Sequence, residues 1–307
     1  MSDGIDRDTI SRTAGQIAPF VRRTPVLWSD GVALKLECLQ HAGSFKPRGA
    51  FTHLLNRSVP SAGLVAASGG NHGAAVAYAA SRLCHQAQIY VPEIASPAKI
   101  DLIRRLGGTV IVGGREYAEA LEASEVYRAE SGAMTIHAYD QEETILGQAT
   151  VGLELAEQAD LDTVLVAVGG GGLISGVAAW YAGTAKIVAV EPESSACLNA
   201  ARAAGAPTDI SPAGLAADSL GARRVGELAW QITQRFAEAS IMVSDQAIEE
   251  AQKWCWQNLN LAVEPGGAAA LAALRSGAYC PQPDERVGII MCGSNVDLGK
   301  LEQLCRA

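Results

Sequence analysis

The sequence has no long apolar run, few aromatic residues and no excess of basic residues. A membrane-spanning helix needs about 20 consecutive apolar residues, and the Ala-rich run 266–274 is far shorter. The chain has 24 lysines and arginines against 33 aspartates and glutamates, so we expect no basic surface able to neutralise a phosphate backbone. These deficits argue against a membrane protein and against a nucleic-acid-binding protein.

Cysteine motifs are also missing. The seven cysteines are odd in number, scattered, and never spaced as CxxC, so we expect neither a disulfide framework nor a zinc site. The N-terminal residues mix acids and arginines and lack the basic-then-apolar order of a signal peptide. The expected compartment is the cytoplasm, where most of the cysteines would be small buried hydrophobic residues.

What the chain does contain is an alternation of strand-length and helix-length segments. The predicted strands are 34–37, 64–67, 88–91, 109–112, 134–137, 163–168, 186–190, 241–243 and 287–291. The predicted helices include 73–83, 97–106, 116–130, 142–158, 173–181 and 245–258. Such alternation predicts an α/β protein whose parallel sheets are covered by helices. No linker divides the 307 residues, so two domains, if present, must interleave.

Three turns rich in small residues follow predicted strands. They are SGGNHG at 68–73, GGGG at 169–172 and CGSN at 292–295. Ligands of open parallel sheets bind at the carboxyl ends of the strands, where such turns lead into helix N-termini. The sequence therefore places its candidate site at these turns.

The tetraglycine turn predicts a phosphate-binding nest. It consists of Gly169, Gly170, Gly171 and Gly172. Without side chains, several backbone N–H groups can point at one anion. A glycine-rich turn can also serve packing alone, and Glu191 at the end of the next strand keeps a dinucleotide-binding turn open as an alternative.

Lys46 is the candidate nucleophile. It lies in GSFKPRGA at a predicted strand-to-helix junction, beside an aromatic residue and small residues. Partial burial there would lower the pKa of its ammonium group and leave an amine able to form a Schiff base. The alternative is an exposed lysine beside a helix start, but the phosphate nest and the turn that contains Asn71 favour the reactive lysine.

Together, GSFKPRGA, SGGNHG, GGGGL and CGSN resemble the threonine and serine dehydratase family of pyridoxal-phosphate enzymes, which also includes serine racemase. The motifs run from residue 43 to residue 295 in the family's order. The resemblance implies pyridoxal 5′-phosphate as cofactor and fold type II, which has two interleaved domains, each a mostly parallel twisted sheet flanked by helices. It assigns 1–39 plus 146–307 to a large cofactor-binding domain and 40–145 to a small substrate-loop domain.

The resemblance also implies how the cofactor is held. Lys46 would carry it as a Schiff base, and Phe45 would pack on its ring. Asn71 would hydrogen-bond the ring hydroxyl, while the tetraglycine turn and Leu173 would bind the phosphate. Cys292 would face the pyridine nitrogen.

Ser294 is the alternative to Cys292 if the alignment of that motif is displaced by two residues. Ser68 would be a second catalytic residue beside Lys46. The substrate carboxylate would be held by Ser68, Gly69, Gly70, Asn71 and His72. A homodimer is expected from the resemblance alone.

By the same resemblance, the expected reaction is dehydration and deamination of L-threonine or L-serine to a 2-oxo acid and ammonia. The alternatives are a 3-hydroxyaspartate or other bulkier hydroxy amino acid dehydratase, a serine racemase and, without pyridoxal phosphate, a nucleotide-binding oxidoreductase. Racemases of the family carry a serine as second base where this chain has Gly69, so racemase activity is not expected to dominate.

Three further residues allow two interpretations each. Metal-activated relatives carry a glutamate followed six residues later by an aspartate; here Glu191 is followed six residues later by Cys197, a poor ligand for a hard cation. No metal is therefore expected, and the alternative is a site in which Glu193 or Asp218 replaces the missing aspartate. His72 is interpreted mainly as a structural residue beneath the cofactor turn. Glu264, before Pro265, is either a carboxylate near the cofactor or a helix N-terminal charge.

Overall fold

Two sheets organise the chain. The structure is a computed structural model that describes residues 4–306. The strands are β1 (Val26–Ser29), β2 (Val32–Lys35), β3 (Leu64–Ala67), β4 (Ala87–Val91), β5 (Thr109–Val112), β6 (Met134–Thr135), β7 (Thr163–Ala167), β8 (Lys186–Pro192), β9 (Ala237–Val243) and β10 (Val287–Ile290). One sheet has the order β1-β2-β10-β7-β8-β9 and the other β5-β4-β3-β6.

Helices cover both sheets. They are α1 (Arg7–Ile17), α2 (Pro47–Asn56), α3 (Asn71–Arg82), α4 (Pro97–Arg105), α5 (Tyr117–Ser131), α6 (Glu142–Gln158), α7 (Gly172–Tyr181), α8 (Cys197–Ala204), α9 (Ala217–Leu220), α10 (Glu227–Phe236), α11 (Asp245–Leu259), α12 (Pro265–Arg275) and α13 (Leu298–Arg306). Within residues 4–306, none of them combines the length and the apolar character that crossing a membrane requires.

The predicted α/β architecture is confirmed. All pairings are parallel except the antiparallel pair β1 and β2. The sequence analysis missed β1, a four-residue edge strand in which Leu27 and Trp28 remain exposed, because it lacks the apolar run of a buried strand. The boundaries 1–39, 40–145 and 146–307 stay a prediction, although no strand crosses them.

Each sheet has its own hydrophobic core. In the larger sheet, all residues of β7 are buried, because this strand lies between β8 and β10 and has helices on both faces. The core of the smaller sheet is formed by β3, β4 and the alanine-rich face of α3. Small alanine side chains let α3 lie close to its strands, and this fixes the turn between β3 and α3.

Candidate active site

Lys46 immediately precedes α2, whose first residue is Pro47. Its Nζ donates a hydrogen bond to the carbonyl of Ala138 (2.7 Å) and lies 5.1 Å from the centroid of the Phe45 ring. Within residues 4–306 no carboxylate forms an ion pair with this amine. Burial lowers the pKa of Lys46 to about 8, so part of the population carries a nucleophilic amine near neutral pH.

The CGSN turn packs directly against the segment that contains Lys46. The backbone N–H of Phe45 donates to the carbonyl of Cys292 (3.2 Å), and Ser44 forms an isolated bridge with Gly293. The Cys292 thiol is buried and donates to the carbonyl of Gly266 (3.2 Å). Burial raises the pKa of Cys292 far above its ordinary value, and the thiol is therefore neutral.

The hydroxyl and the backbone N–H of Ser294 both donate hydrogen bonds to backbone carbonyls. Its hydroxyl donates to the carbonyl of Cys38 (2.7 Å), and its backbone N–H donates to Gly43. These bonds anchor the turn beneath the site, and they favour Cys292 over Ser294 as the residue that faces a cofactor ring. The assignment of Cys292 to that position stays a prediction.

The turn 68–70 lies between β3 and the start of α3. The Ser68 hydroxyl accepts a weak hydrogen bond from the Gly70 N–H (3.3 Å). The first N–H groups of α3 have no intrahelical acceptors and lie at the positive end of the helix dipole. This arrangement suits a carboxylate ligand.

His72 contributes its backbone rather than its ring to this end of α3. Its Nε2 lies 2.8 Å from the carbonyl of Ile136, which can only accept a hydrogen bond. Burial lowers the pKa of His72 to about 3. The ring is therefore neutral, donates to Ile136 and packs beneath the turn, and only the backbone N–H is available to a substrate carboxylate.

The tetraglycine turn presents free amides at the N-terminus of α7. Within residues 4–306, the N–H groups of Gly169, Gly170 and Gly171 have no hydrogen-bond acceptor. Gly171 adopts φ +94°, the left-handed conformation that favours glycine. A Cβ on Gly170 would overlap the Tyr139 ring, so packing and anion binding both require glycine here.

Asn295 had no role in the motif-based prediction, and Glu264 had been given two alternative roles, one of them near the cofactor. Asn295 Nδ2 donates to Asn71 Oδ1 (2.7 Å), and Asn71 Nδ2 donates to Glu264 Oε1 (2.5 Å). Glu264 is only 4% exposed, and burial raises its pKa. The Glu-Pro pair before α12 was the only sequence signal for Glu264, and Asn295 could have been found as the last residue of CGSN.

Glu191 does not form a cation site with Cys197. Its carboxylate accepts the N–H groups of Leu198 (2.7 Å) and Asn199 (2.8 Å) and thereby caps α8. The Cys197 thiol donates to the carbonyl of Gly169 (3.1 Å). In residues 4–306, no group of three or more His, Cys, Asp or Glu side chains is placed to hold a metal ion. The residues present therefore do not fit a Mg²⁺ or Ca²⁺ site.

The chain resembles known proteins over nearly its whole length. Residues 17–293 match the family described as pyridoxal-phosphate dependent enzymes. Serine racemase of Oryza sativa subsp. indica is 37% identical, covering 96% of this chain and 92% of the relative. Phenylserine dehydratase of Ralstonia pickettii is 34% identical, covering 95% and 94%. The structure of the processed form of threonine deaminase isoform 2 from Solanum lycopersicum superposes with a TM-score of 0.89 at 30% identity, covering 99% and 94%.

Proposed function

Because this chain belongs to the family of pyridoxal-phosphate-dependent enzymes, we propose that it is a lyase acting on a small β-hydroxy-α-amino acid, L-threonine or L-serine. The observation that carries the proposal is the environment of Lys46, a partly buried amine that has one backbone acceptor within residues 4–306 and a lowered pKa. It is supported by the dehydratase and the threonine deaminase among the similar proteins.

The residues fit the family's cofactor. The amine of Lys46 is free to bond its aldehyde carbon, and the unpaired N–H groups of Gly169, Gly170 and Gly171 suit its phosphate. We assign Asn71 to the ring hydroxyl and Cys292 to the pyridine nitrogen. When bound, pyridoxal phosphate supplies an electron sink for the electrons of the substrate's Cα–H bond.

The protein's own groups position the substrate and move the proton. Ser68 and the N–H groups at the start of α3 hold the carboxylate, which leaves the Cα–H bond facing Lys46. Once the substrate's own amine has replaced Lys46 at the cofactor, the freed Lys46 amine would take the Cα proton. The β-hydroxyl would leave with one proton as water, so that the substrate loses one hydrogen from Cα and one hydroxyl from Cβ. The resulting enamine hydrolyses to a 2-oxo acid and ammonia. The neutral Cys292 thiol places no negative charge beside the pyridine nitrogen, which favours rapid elimination over transamination.

Serine racemase is the second candidate, because the rice relative with that name is 37% identical. Racemisation is less favoured than elimination because Gly69 has no side chain to carry a proton to the opposite face of the cofactor. A Cβ at this position would lie 3.2 Å from the Cβ of Ala95, so even a small side chain would be tight.

The surroundings of the turn also favour a neutral substrate side chain. Lys99 on α4 is the cation beside the turn, but it forms an ion pair with Asp218 on α9. The backbone carbonyl of Asp218 lies 3.6 Å from where a Gly70 Cβ would be, so α9 lies beside the turn. A second substrate carboxylate, as in 3-hydroxyaspartate, would have to compete with Asp218 for Lys99.

The oxidoreductase alternative receives no support. Glu191, the acidic residue on which it depended, already accepts two helix N–H groups and is not free to bind ribose hydroxyls. The match to pyridoxal-phosphate enzymes covers residues 17–293 and includes the tetraglycine turn.

The test is 2-oxo acid and ammonia release by the purified, cofactor-loaded protein. The panel contains L-serine, L-threonine, D-serine, both 3-hydroxyaspartate diastereomers and threo-phenylserine, with chiral analysis of the remaining serine. Turnover of L-threonine or L-serine that is lost in Lys46→Ala supports the proposal. Serine epimerisation faster than oxo-acid release would replace it with the racemase, and no turnover of any compound would overturn it. Light scattering on the same preparation tests the predicted homodimer.

A further inference from the structure

Residues from four separated parts of the chain are linked by hydrogen bonds through the side chain of Asn71. Asn295 Nδ2 donates to two acceptors, the carbonyl of Ala42 (2.8 Å) and Asn71 Oδ1 (2.7 Å). Ala42 immediately precedes the GSFK segment, and Asn71 Nδ2 continues the chain to Glu264 (2.5 Å). One hydrogen-bonded chain therefore joins residues 42, 295, 71 and 264.

The direction of this chain is fixed by chemistry. A backbone carbonyl only accepts hydrogen bonds, so the group of Asn295 that faces Ala42 must be its NH₂. The same NH₂ reaches Asn71, whose facing atom must therefore be oxygen. The other end of the Asn71 amide is then nitrogen, which donates one hydrogen to Glu264 and retains a second.

Glu264 has no competing task that would explain its position. It precedes α12, but its side chain makes no capping bond to that helix; the N–H of Gly266 is instead taken by Ser219 (3.1 Å). A Cβ on Gly293 would overlap the Glu264 carboxylate, so the CGSN turn leaves room for this side chain. Burying a carboxylate with a single hydrogen bond is costly, and here it faces Asn71.

We propose that Asn295 and Glu264 are positioning residues that hold the Asn71 amide in one orientation, with its oxygen toward Asn295 and its second N–H free for the cofactor's ring oxygen. The inference rests on the cofactor of the proposed function, not on the choice of substrate. Without these partners the amide could rotate by about 180° and present an acceptor where a donor is needed.

The experiment measures cofactor retention and the visible spectrum of the pyridoxal-phosphate-loaded protein in the absence of substrate. Asn295→Ala and Glu264→Ala should each weaken retention about tenfold, the effect of one lost hydrogen bond in a buried network, and shift the visible band. Glu264→Gln should stay within about twofold of wild type, because its amide oxygen still accepts from Asn71. Asn258→Ala, an exposed asparagine on α11, is the matched control and should change neither quantity.

The deciding comparison is made in an Asn71→Ala background. There, Asn295→Ala should have no further effect on retention or spectrum, because Asn295 acts through Asn71. An undiminished effect in that background would overturn the proposal, as would a Glu264→Gln variant as impaired as Glu264→Ala. If Asn295→Ala fails to fold by circular dichroism, Asn295→Asp keeps the volume, removes the donors and must give the same loss. If no substrate is turned over but the retention and spectral results are as expected, the proposed reaction fails and the positioning role of Asn295 and Glu264 stands.

Discussion

Lys35 and Lys46 are close in the chain, and burial lowers the pKa of both ammonium groups, but their partners differ. Lys35 Nζ donates to Glu154 Oε1 (2.6 Å), to the carbonyl of Thr24 (2.7 Å) and to Gln158 Oε1 (2.8 Å). Lys46 has the single carbonyl of Ala138 (2.7 Å). The first lysine has an acceptor for each of its three hydrogens, and the second does not.

Lys35 belongs to a buried cluster of balanced charge. Arg48 donates to both Glu37 and Glu154, so two cations face two carboxylates out of solvent. Complete pairing makes the removal of any one member costly. Arg48 follows Lys46 by two residues, so the rigid cluster supports the segment that carries the reactive amine. The three hydrogens of Lys35 are all accepted, which suits a structural role, whereas within residues 4–306 Lys46 Nζ has one acceptor, which suits the reactive role proposed for it.

The largest expected effect is that of Lys46→Ala, which tests the contrast between Lys46 and Lys35 most directly. Activity should fall about 10⁴-fold or more, because the variant loses both the cofactor link and the base. The free energy of unfolding without cofactor should not fall by more than about 1 kcal/mol, since only one hydrogen bond to a backbone carbonyl is lost and the variant no longer buries an ammonium group whose pKa is lowered. Activity assays and urea unfolding measure the two quantities, and a variant that keeps activity would contradict the role assigned to Lys46.

The reciprocal change is Lys35→Ala, which should lower the free energy of unfolding by about 3–5 kcal/mol, because it leaves Glu154 and Glu37 with an unbalanced charge. The folded fraction should still load cofactor through Lys46. Urea unfolding gives the stability. In the control, Lys35→Met combined with Glu154→Gln removes one charge of each sign and should recover part of the loss. A double variant no better than Lys35→Ala would show that charge balance is not the cause.

The role proposed for Lys46 was predicted from the sequence, whereas the structural role of Lys35 was not. Lys46 could be found because GSFKPRGA is a local motif, whereas Lys35 occupies an ordinary strand position. Its partners Glu154 and Gln158 lie more than 100 residues away, and they are brought to it by packing of α6 against the sheet.

The same limit applies within the candidate site. The turns that contain Asn71, Gly170 and Cys292 were predicted from local composition, since glycine and small polar residues between strand and helix have a direct physical reason. The carbonyl of Ala138 and the hydrogen bond between Glu264 and Asn71 were not predicted, because the local sequence does not show which distant residue an acceptor will face. The position of Glu264 near the cofactor was one of two alternatives, indicated by the Glu-Pro pair. Helix and strand periodicity reports on local structure, and these contacts are tertiary.

The comparison of the two lysines can be extended to a buried carboxylate, that of Glu191. Glu191 is fully buried, its acceptors are filled by two amides and by Ser240, and Arg202 lies nearby. Burial prevails over these donors and raises the pKa of Glu191 from 4.5 to about 7. Between these pH values the folded chain binds more protons than the unfolded chain, so the free energy of unfolding falls as pH rises.

From pH 4.5 to about 7, this one group should remove about 3 kcal/mol from the stability. Urea unfolding across that range should show a steeper decline for wild type than for Glu191→Gln, whose amide does not ionise. Glu238→Gln, an exposed position on β9, should keep the wild-type slope. Equal slopes for wild type and Glu191→Gln would mean that folding leaves the pKa of Glu191 unchanged.

The smallest expected effect is that of added metal ions. It tests whether Glu191 can bind a cation, as Glu154 binds the side chains of Lys35 and Arg48. In the wild type, the Cys197 thiol donates to the carbonyl of Gly169, and a neutral sulfur beside one carboxylate offers little to a hard cation. Millimolar Mg²⁺, Ca²⁺ or EDTA should therefore leave the melting temperature unchanged within about 1 °C, a shift smaller than a stability change of about 1 kcal/mol produces. Cys197→Asp supplies a second carboxylate and should gain about 1 kcal/mol when Ca²⁺ is present at about five times its Kd, whereas Cys197→Ser, which adds no charge, should not. Stabilisation of the wild type by either ion would show that Glu191 already binds a cation. Glu191 could then not serve as an example of a buried charge without a cationic partner.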